Sequence, residues 1–457
     1  MNTALFSASE FSIVTGGSWL KNYLPEKALA ISTDTRNVNQ GKIFFALSGE
    51  RFDAHNFLQQ AADSGCEALC IKKNRRNDID LPDNLPVLMV DDPLIAMQMC
   101  AAYHRNRFKD LTVFAVTGSV GKTSVKEMLR AICSKVAGEN AVLYTIGNTN
   151  NQIGVAQNLL RLTPEHRFAV LEAGTSSPGE ILPLARIINP TGAIVNSIAP
   201  CHLENLIDLD GVAREKGDIF SPLAANAPAV FPENAAGKSL LTKAAENCRI
   251  ITFGNDGKGD ISSKFISGTL EQSSFELTFA DGRIFTVTWS LTGKHNALNA
   301  AGAAALANAC GIAPEIICDA LPDTRLPGMR MKKSCVDSIT YYNDAYNANP
   351  ASLSASIELL GQSTFPGRLI LLLGGMRELG ASSVEEHRKL LQNIRTTLPD
   401  AIVITIGQEF SGLSGCHFDS PEKAGEYLKE ILQSNDTVFA KGSRGNAVEK
   451  ALPPEAR

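Results

Sequence analysis

Thr117-Gly118-Ser119-Val120-Gly121-Lys122-Thr123-Ser124 stands between an apolar run, Val113-Phe114-Ala115-Val116, and a segment with Val125, Met128, Leu129 and Ile132 at helical spacing. The run predicts a buried strand, and the segment predicts an amphipathic helix. Glycines at 118 and 121 let the backbone curl so that successive N–H groups face one anion. The helix N-terminus adds partial positive charge, and Lys122 adds a full one. Thr123 offers a hydroxyl to a Mg2+ that bridges phosphate oxygens. The longer phosphate-loop pattern has a further glycine where Val116 stands, so this is a shorter variant. Gly118, Ser119, Gly121, Lys122, Thr123 and Ser124 are therefore the candidate nucleotide-phosphate residues.

Outward from the loop, further apolar runs at Phe168-Ala169-Val170-Leu171 and Ala193-Ile194-Val195 alternate with helical segments. That alternation predicts a parallel sheet with helices on both faces. The stretch from Ile261 to Trp289 alternates apolar and polar residues and predicts an antiparallel side sheet. Asn296 to Ala309 predicts a helix stopped by Gly311 and Pro314. A chain of 457 residues is too long for one core. Three blocks are drawn, all α/β: 1–107, a small mixed domain; 108–318, the central phosphate-loop domain; and 319–457, a second open sheet of Rossmann-like type. Its strands are expected at 338–342, 369–373, 402–406 and 437–440, and Gly374 to Gly380 is read as a loop.

Net charge of −5 and a pI near 5.9 give no basic footprint for nucleic acid and no polybasic membrane anchor. No stretch approaches the roughly 20 apolar residues of a membrane span, and the first residues lack a secretory pattern. The ten cysteines are scattered, and most are expected as small core residues, with Cys133 and Cys318 as examples. A reducing cytoplasm is the expected compartment.

Other candidates follow strands, where the carboxyl end of a parallel sheet meets its ligand. Glu172 can hold Mg2+ or its water. His202 also follows a buried strand, as a functional group or as a cap. Asn148, Asn150 and Asn151 form a cluster of neutral donors and acceptors that suits a polar ligand or a simple turn. Asp344 to Pro350 and Lys441-Gly442-Ser443-Arg444 follow strands of the last block, so a site closing between two sheets is expected.

Together with Thr33-Asp34-Thr35-Arg36, Leu171-Glu172-Ala173-Gly174, His202-Leu203-Glu204, Ala213 to Phe220, His295 to Asn299 and Tyr346 to Pro350, these segments stand in the order of one family. Over nearly its whole length the chain resembles the Mur ligase superfamily. The resemblance implies a UDP-substrate domain, an ATP domain and an amine-substrate domain. It implies ATP and Mg2+ as cofactors, with a UDP-linked muramoyl peptide and D-alanyl-D-alanine as substrates and a monomer as the working form. Thr35 and Arg36 match positions near the uridine diphosphate. Glu172 and His202 match magnesium ligands, joined by Thr123. Lys216 matches a lysine that is carbamoylated in several relatives, which would turn a repelling ammonium into an anion able to hold the metal. Lys122, His202 and Lys216 are the implied catalytic set. His295, Asn296 and Asn299 match a segment near adenine and ribose, and Arg330 matches a hinge arginine. Asp344, Asn347 and Asn349 match the last domain's side of the cleft, and Asn148, Asn151, Lys441 and Arg444 join them as implied substrate-binding residues.

The chain departs from the family pattern at Val120, Asn343, Ala345, Gly375 and Gly445-Asn446-Ala447. Gly375 stands where an aspartate is common. The alternatives to a dipeptide ligase are a sister ligase with another amine and a non-catalytic nucleotide-binding protein.

Overall fold

The computed structural model describes residues 4–49, 52–377 and 379–457. Three large sheets follow one another along the chain. The first has six strands, in the order Leu5–Phe6, Leu29–Ser32, Lys42–Phe45, Ala68–Lys72, Val87–Val90 and Ser18–Trp19. Its four inner strands are parallel, and the two outer ones run antiparallel to their neighbours.

The central sheet has nine strands, and Thr112–Thr117 lies between Phe168–Glu172 and Gly192–Val195. Alternation along Thr112–Thr117 feeds two cores. Val113 and Ala115 enter the one shared with the N-terminal sheet. Phe114 and Val116 enter the one beneath the helices Lys122–Ala137 and Lys294–Ala309. All four residues of the expected amphipathic stripe, Val125, Met128, Leu129 and Ile132, are fully buried.

Two expectations need correction here. The stretch 261–289 forms no separate side sheet: Ile261–Gly268 pairs in parallel with Arg249–Asn255, and Ser273–Thr278 and Ile284–Trp289 extend the same sheet antiparallel. Backbone pairing onto an open edge satisfies polar groups that a detached hairpin would leave to solvent. Ala320 and Leu321, placed by sequence in the third block, pack into the central core. The turn at 269–272 reaches the other way, setting Leu270 against the C-terminal core and pairing Glu271 with Lys333. Lys294 bonds Glu358 at 2.8 Å across the same boundary.

The third sheet runs Lys332–Val336, Ile339–Asn343, Thr437–Lys441, Leu369–Gly374, Ile402–Ile406 and His417–Phe418. All its pairings are parallel except the first, a hairpin whose leading strand the sequence reading missed. Of the segment 374–380, Gly374 closes a strand and Gly380 opens a short 3-10 turn, while Glu378 lies outside the described residues. Only four of the ten cysteines are buried; Cys133 is one, whereas Cys318 is partly exposed and Cys335 fully so. No helix among the described residues is long and apolar enough to cross a membrane.

Candidate active site

Gly121 ends the loop at φ +81° and passes into the helix Lys122–Ala137. A Cβ there would lie 2.5 Å from Nδ2 of Asn196 and 2.8 Å from Oδ1 of Asn299, so only glycine fits. Those two amides belong to a buried chain under the loop. Asn196 Nδ2 donates to the Val120 carbonyl at 2.9 Å and to Asn299 Oδ1 at 3.0 Å. Asn299 donates to Asn296 Oδ1 at 3.3 Å, and Asn296 to the Thr292 carbonyl at 2.8 Å. Asn296 and Asn299 thus commit their amides to holding the loop. Asn196, which sequence reasoning passed over, anchors it directly; its place just after Val195, at a strand end, was the available signal.

The run of free loop amides is shorter than expected. Ser197 takes the Ser119 N–H on its carbonyl and the Val120 N–H on its hydroxyl, both at 2.9 Å. The neighbouring strand continues past Val195 alongside the loop, which brings Ser197 there. The Ser119 hydroxyl donates to the Ala199 carbonyl at 2.9 Å. The anion-facing amides are those of the first helical turn at Lys122, Thr123 and Ser124, which have no intrahelical acceptor. Lys122 Nζ folds back onto the Gly118 carbonyl at 2.7 Å, and desolvation holds its pKa below the ordinary lysine value.

Thr123 Oγ1 donates to Glu172 Oε2 at 3.3 Å. Glu172 is 1% exposed, and its other oxygen, Oε1, is buried with no hydrogen-bond partner. Lys126, itself paired with Glu127, stands 4.0 Å from that oxygen. Arg330 closes the site from the far domain. Its Nη2 donates to Thr123 Oγ1 at 3.2 Å, and its guanidinium stacks 3.8 Å from the Tyr346 ring centre.

A cavity of about 1000 Å3 joins these groups. Gly121, Lys122, Thr123, Ser124, Glu172 and His202 line its central wall, and His295, Asn296 and Asn299 line the adjoining one. Asp344, Asn347, Asn349 and Lys441 form the C-terminal wall, and Asn148, Asn150 and Asn151 line the cavity as well. His202 starts a short helix at φ +51°. Lys441 Nζ bonds Asp344 Oδ2 at 2.6 Å and the Asn347 carbonyl at 3.3 Å. Two of the asparagines double as helix caps: Asn151 accepts from Ile153 and Gly154, and Asn349 forms a capping box with Ser352.

Five expected residues lie off the cavity wall: Gly118, Thr35, Arg36, Lys216 and Arg444. Arg444 is exposed and turned onto Glu449 at 2.8 Å, while its loop neighbours Ser443 and Asn446 are buried. Thr35 and Arg36 sit on the turn after Leu29–Ser32, where Arg36 pairs with Asp34 at 2.7 Å. Gln157 donates to Thr33 Oγ1 at 2.9 Å and ties that turn to the helix that begins after Asn151.

Lys216 also lies behind the wall, 1% exposed, and no hydrogen bond or ion pair holds its ammonium among the described residues. Burial, reinforced by Lys122, lowers its pKa to about 8. Its neighbour Glu215 accepts from the backbone N–H groups of Gly179, Glu180 and Ile181 at 2.6, 3.0 and 2.8 Å and pins this helix in place.

Among the described residues no three His, Cys, Asp or Glu side chains gather as a metal site. The groups present still fit a nucleotide-borne Mg2+, which takes one or two carboxylates and completes its shell with phosphate oxygens and water. The Glu172 carboxylate, with one oxygen on the Thr123 hydroxyl and the other buried without a hydrogen bond, is the observation that supports this fit.

A strand, phosphate loop and helix, facing a second α/β domain across a shared cleft, define an ATP-using ligase. The Mur ligase middle domain matches residues 116–307, and the Mur ligase, glutamate ligase domain matches 329–444. The chain belongs to the Mur ligase family. The UDP-N-acetylmuramoyl-tripeptide–D-alanyl-D-alanine ligase of Escherichia coli (strain K12) is 36% identical over 434 residues, covering 93% of this chain and 92% of its own. The solved MurF of Acinetobacter baumannii superposes with a TM-score of 0.90 at 31% identity, covering 99% of both chains. The MurF ligase of Thermotoga maritima, solved in complex with ADP, has a TM-score of 0.79 at 25% identity, covering 93% of this chain and 96% of that one.

Proposed function

We propose that the chain joins D-alanyl-D-alanine to UDP-N-acetylmuramoyl-tripeptide at the expense of ATP, forming an amide bond through an acyl phosphate. The observation that carries this reading is the cleft itself. It brings the phosphate loop, the buried Glu172 carboxylate and the Asp344–Lys441 pair of another domain onto one cavity. We take a single copy of the chain as the working unit.

In the first step the tripeptide carboxylate attacks the γ-phosphorus, the bond to the bridging oxygen breaks, and ADP leaves. Two anions must approach each other, and this chain answers with fixed positive groups. Lys122 releases the Gly118 carbonyl and turns to the phosphate oxygens, and the amides of Lys122 and Thr123 point at them. Arg330 adds a second cation from the hinge. Mg2+, held by Thr123, Glu172, His202 and a carbamoylated Lys216, would supply charge neutralisation on the phosphates. Burial draws the Lys216 pKa to about 8, so more of it is the neutral amine than in a free lysine, and that is the form that takes up carbon dioxide.

In the second step the dipeptide amine attacks the acyl carbonyl, a proton leaves the nitrogen, and phosphate departs. Asp344, whose Oδ2 is within 2.6 Å of Lys441 Nζ, lines the wall from which the amine arrives. Closure of the two domains excludes the water that would hydrolyse the acyl phosphate. Thr35 and Arg36 contribute to the uridine diphosphate end, on the N-terminal sheet. The test is ADP release with UDP-muramoyl-tripeptide, with and without D-alanyl-D-alanine. Dependence on both supports the reading; full turnover with another amine in its place, or none with any, sinks it.

A further inference from the structure

Three parallel strands of the last sheet, Ile402–Ile406, Leu369–Gly374 and Thr437–Lys441, end on one edge, and the loops that follow them interlock. The Gly375 N–H donates to the Ile406 carbonyl at 3.0 Å, and Asn446 Nδ2 donates to the Gly375 carbonyl at 2.8 Å. The Arg377 N–H donates to Ser443 Oγ at 2.9 Å. On this frame the Arg377 guanidinium bonds Asn446 Oδ1 at 3.1 Å and lies 3.5 Å from Glu409, yet its side chain is 52% exposed. Glu409 Oε2 is buried with no hydrogen-bond partner.

Two glycines make this constellation. A Cβ on Gly375 would fall on the Glu409 carboxylate, and a Cβ on Gly445 would fall on the Arg377 guanidinium. These are two of the positions at which the chain departs from its family's pattern, and Asn446 is a third. The departures are therefore linked: Glu409 fills the space where an aspartate at 375 would project, and Arg377 occupies the face that glycine at 445 leaves open. Sequence alone shows them as separate losses.

We propose that Arg377, held by Glu409 and Asn446, grips the free carboxylate of the incoming amine substrate. This rests on the ligase reading above. A guanidinium fixed on one edge and open on the other is shaped for a carboxylate. Ser443 links the loop to the cleft, since its hydroxyl reaches the Ala348 carbonyl at 3.3 Å, next to cavity-lining Asn347 and Asn349. Arg377 does not itself line the cavity, so the grip requires the amine substrate to extend past Asn347 and Asn349 toward this loop.

The experiment compares D-alanyl-D-alanine with its C-terminal amide in wild type and Arg377→Met, using phosphate release with UDP-muramoyl-tripeptide. The wild type should prefer the free carboxylate at least about tenfold in kcat/KM. Arg377→Met should raise the KM for the dipeptide by a similar factor, keep the KM for ATP, and no longer distinguish acid from amide. Arg377→Lys should recover part of the preference, which a purely structural role would not predict. A variant that still prefers the acid as strongly as the wild type overturns the proposal while leaving the ligase reading intact. A wild type that releases no phosphate with the dipeptide overturns both.

Discussion

Arg330 donates from Nη2 to the Thr123 hydroxyl at 3.2 Å although the two residues are 207 positions apart. The same hydroxyl donates to Glu172. One oxygen on the phosphate loop therefore receives the hinge of the far domain and orients the buried carboxylate. Thr123→Val keeps the shape and removes both bonds. Phosphate release should fall at least about tenfold, as expected for charge-assisted bonds at about 1.5–3 kcal/mol each. The thermal midpoint should fall by a few degrees as well, because Glu172 loses its hydrogen bond while staying buried. Unchanged turnover in Thr123→Val would remove the hydroxyl from the site.

Lys122→Ala should abolish acyl-phosphate formation and leave the UDP-substrate affinity nearly as it was, because Thr35 and Arg36 lie on a different sheet. Calorimetry with the UDP-tripeptide and an ADP-release assay separate the two effects. Wild-type rates in this variant would show the loop to be misassigned.

Asn299→Leu interrupts the amide chain beneath Gly121, leaving one Asn196 amide hydrogen and Asn296 Oδ1 without partners. Each orphaned buried group costs about 1–3 kcal/mol. The melting temperature should drop by several degrees and nucleotide affinity should weaken with it. A stable variant with weak nucleotide binding would instead assign Asn299 to direct ligand contact.

Lys216 carries a pH signature. Burial draws its pKa from the ordinary 10.5 down to about 8. Between those values the unfolded chain holds a proton that the folded chain does not, so stability rises with pH across that window. The penalty is fully present below it. Lys216→Met should be more stable than the parent near neutrality by on the order of 1–3 kcal/mol, and the gap should close above about pH 10. Denaturant unfolding at a series of pH values measures this. A difference independent of pH would mean that no charged ammonium is buried there.

How far the sequence was legible follows from the range of each interaction. The phosphate loop could be read because a strand, a glycine turn and an amphipathic helix are all local patterns. Glu172 and His202 could be read because they follow apolar runs. Asn196 and Ser197 were missed as loop anchors, since their role depends on which strand lies beside Thr112–Thr117, and register is a tertiary fact. The attachment of 261–289 to the central sheet was hidden for the same reason. Arg444 looked like a cleft residue from its place after a strand; its side chain turned to Glu449, a contact that spacing alone does not reveal. Gly375 and Gly445 looked like losses because the groups that fill their space come from residues 409 and 377.

The turn at 269–272 has a mechanical consequence. It belongs by hydrogen bonding to the sheet that carries the phosphate loop, yet Leu270, half-buried, packs against the hydrophobic core of the neighbouring domain. That domain cannot swing without either unseating Leu270 or dragging the hairpin with it. The central sheet and the C-terminal sheet are thereby geared together, and the travel of one is limited by the reach of the other.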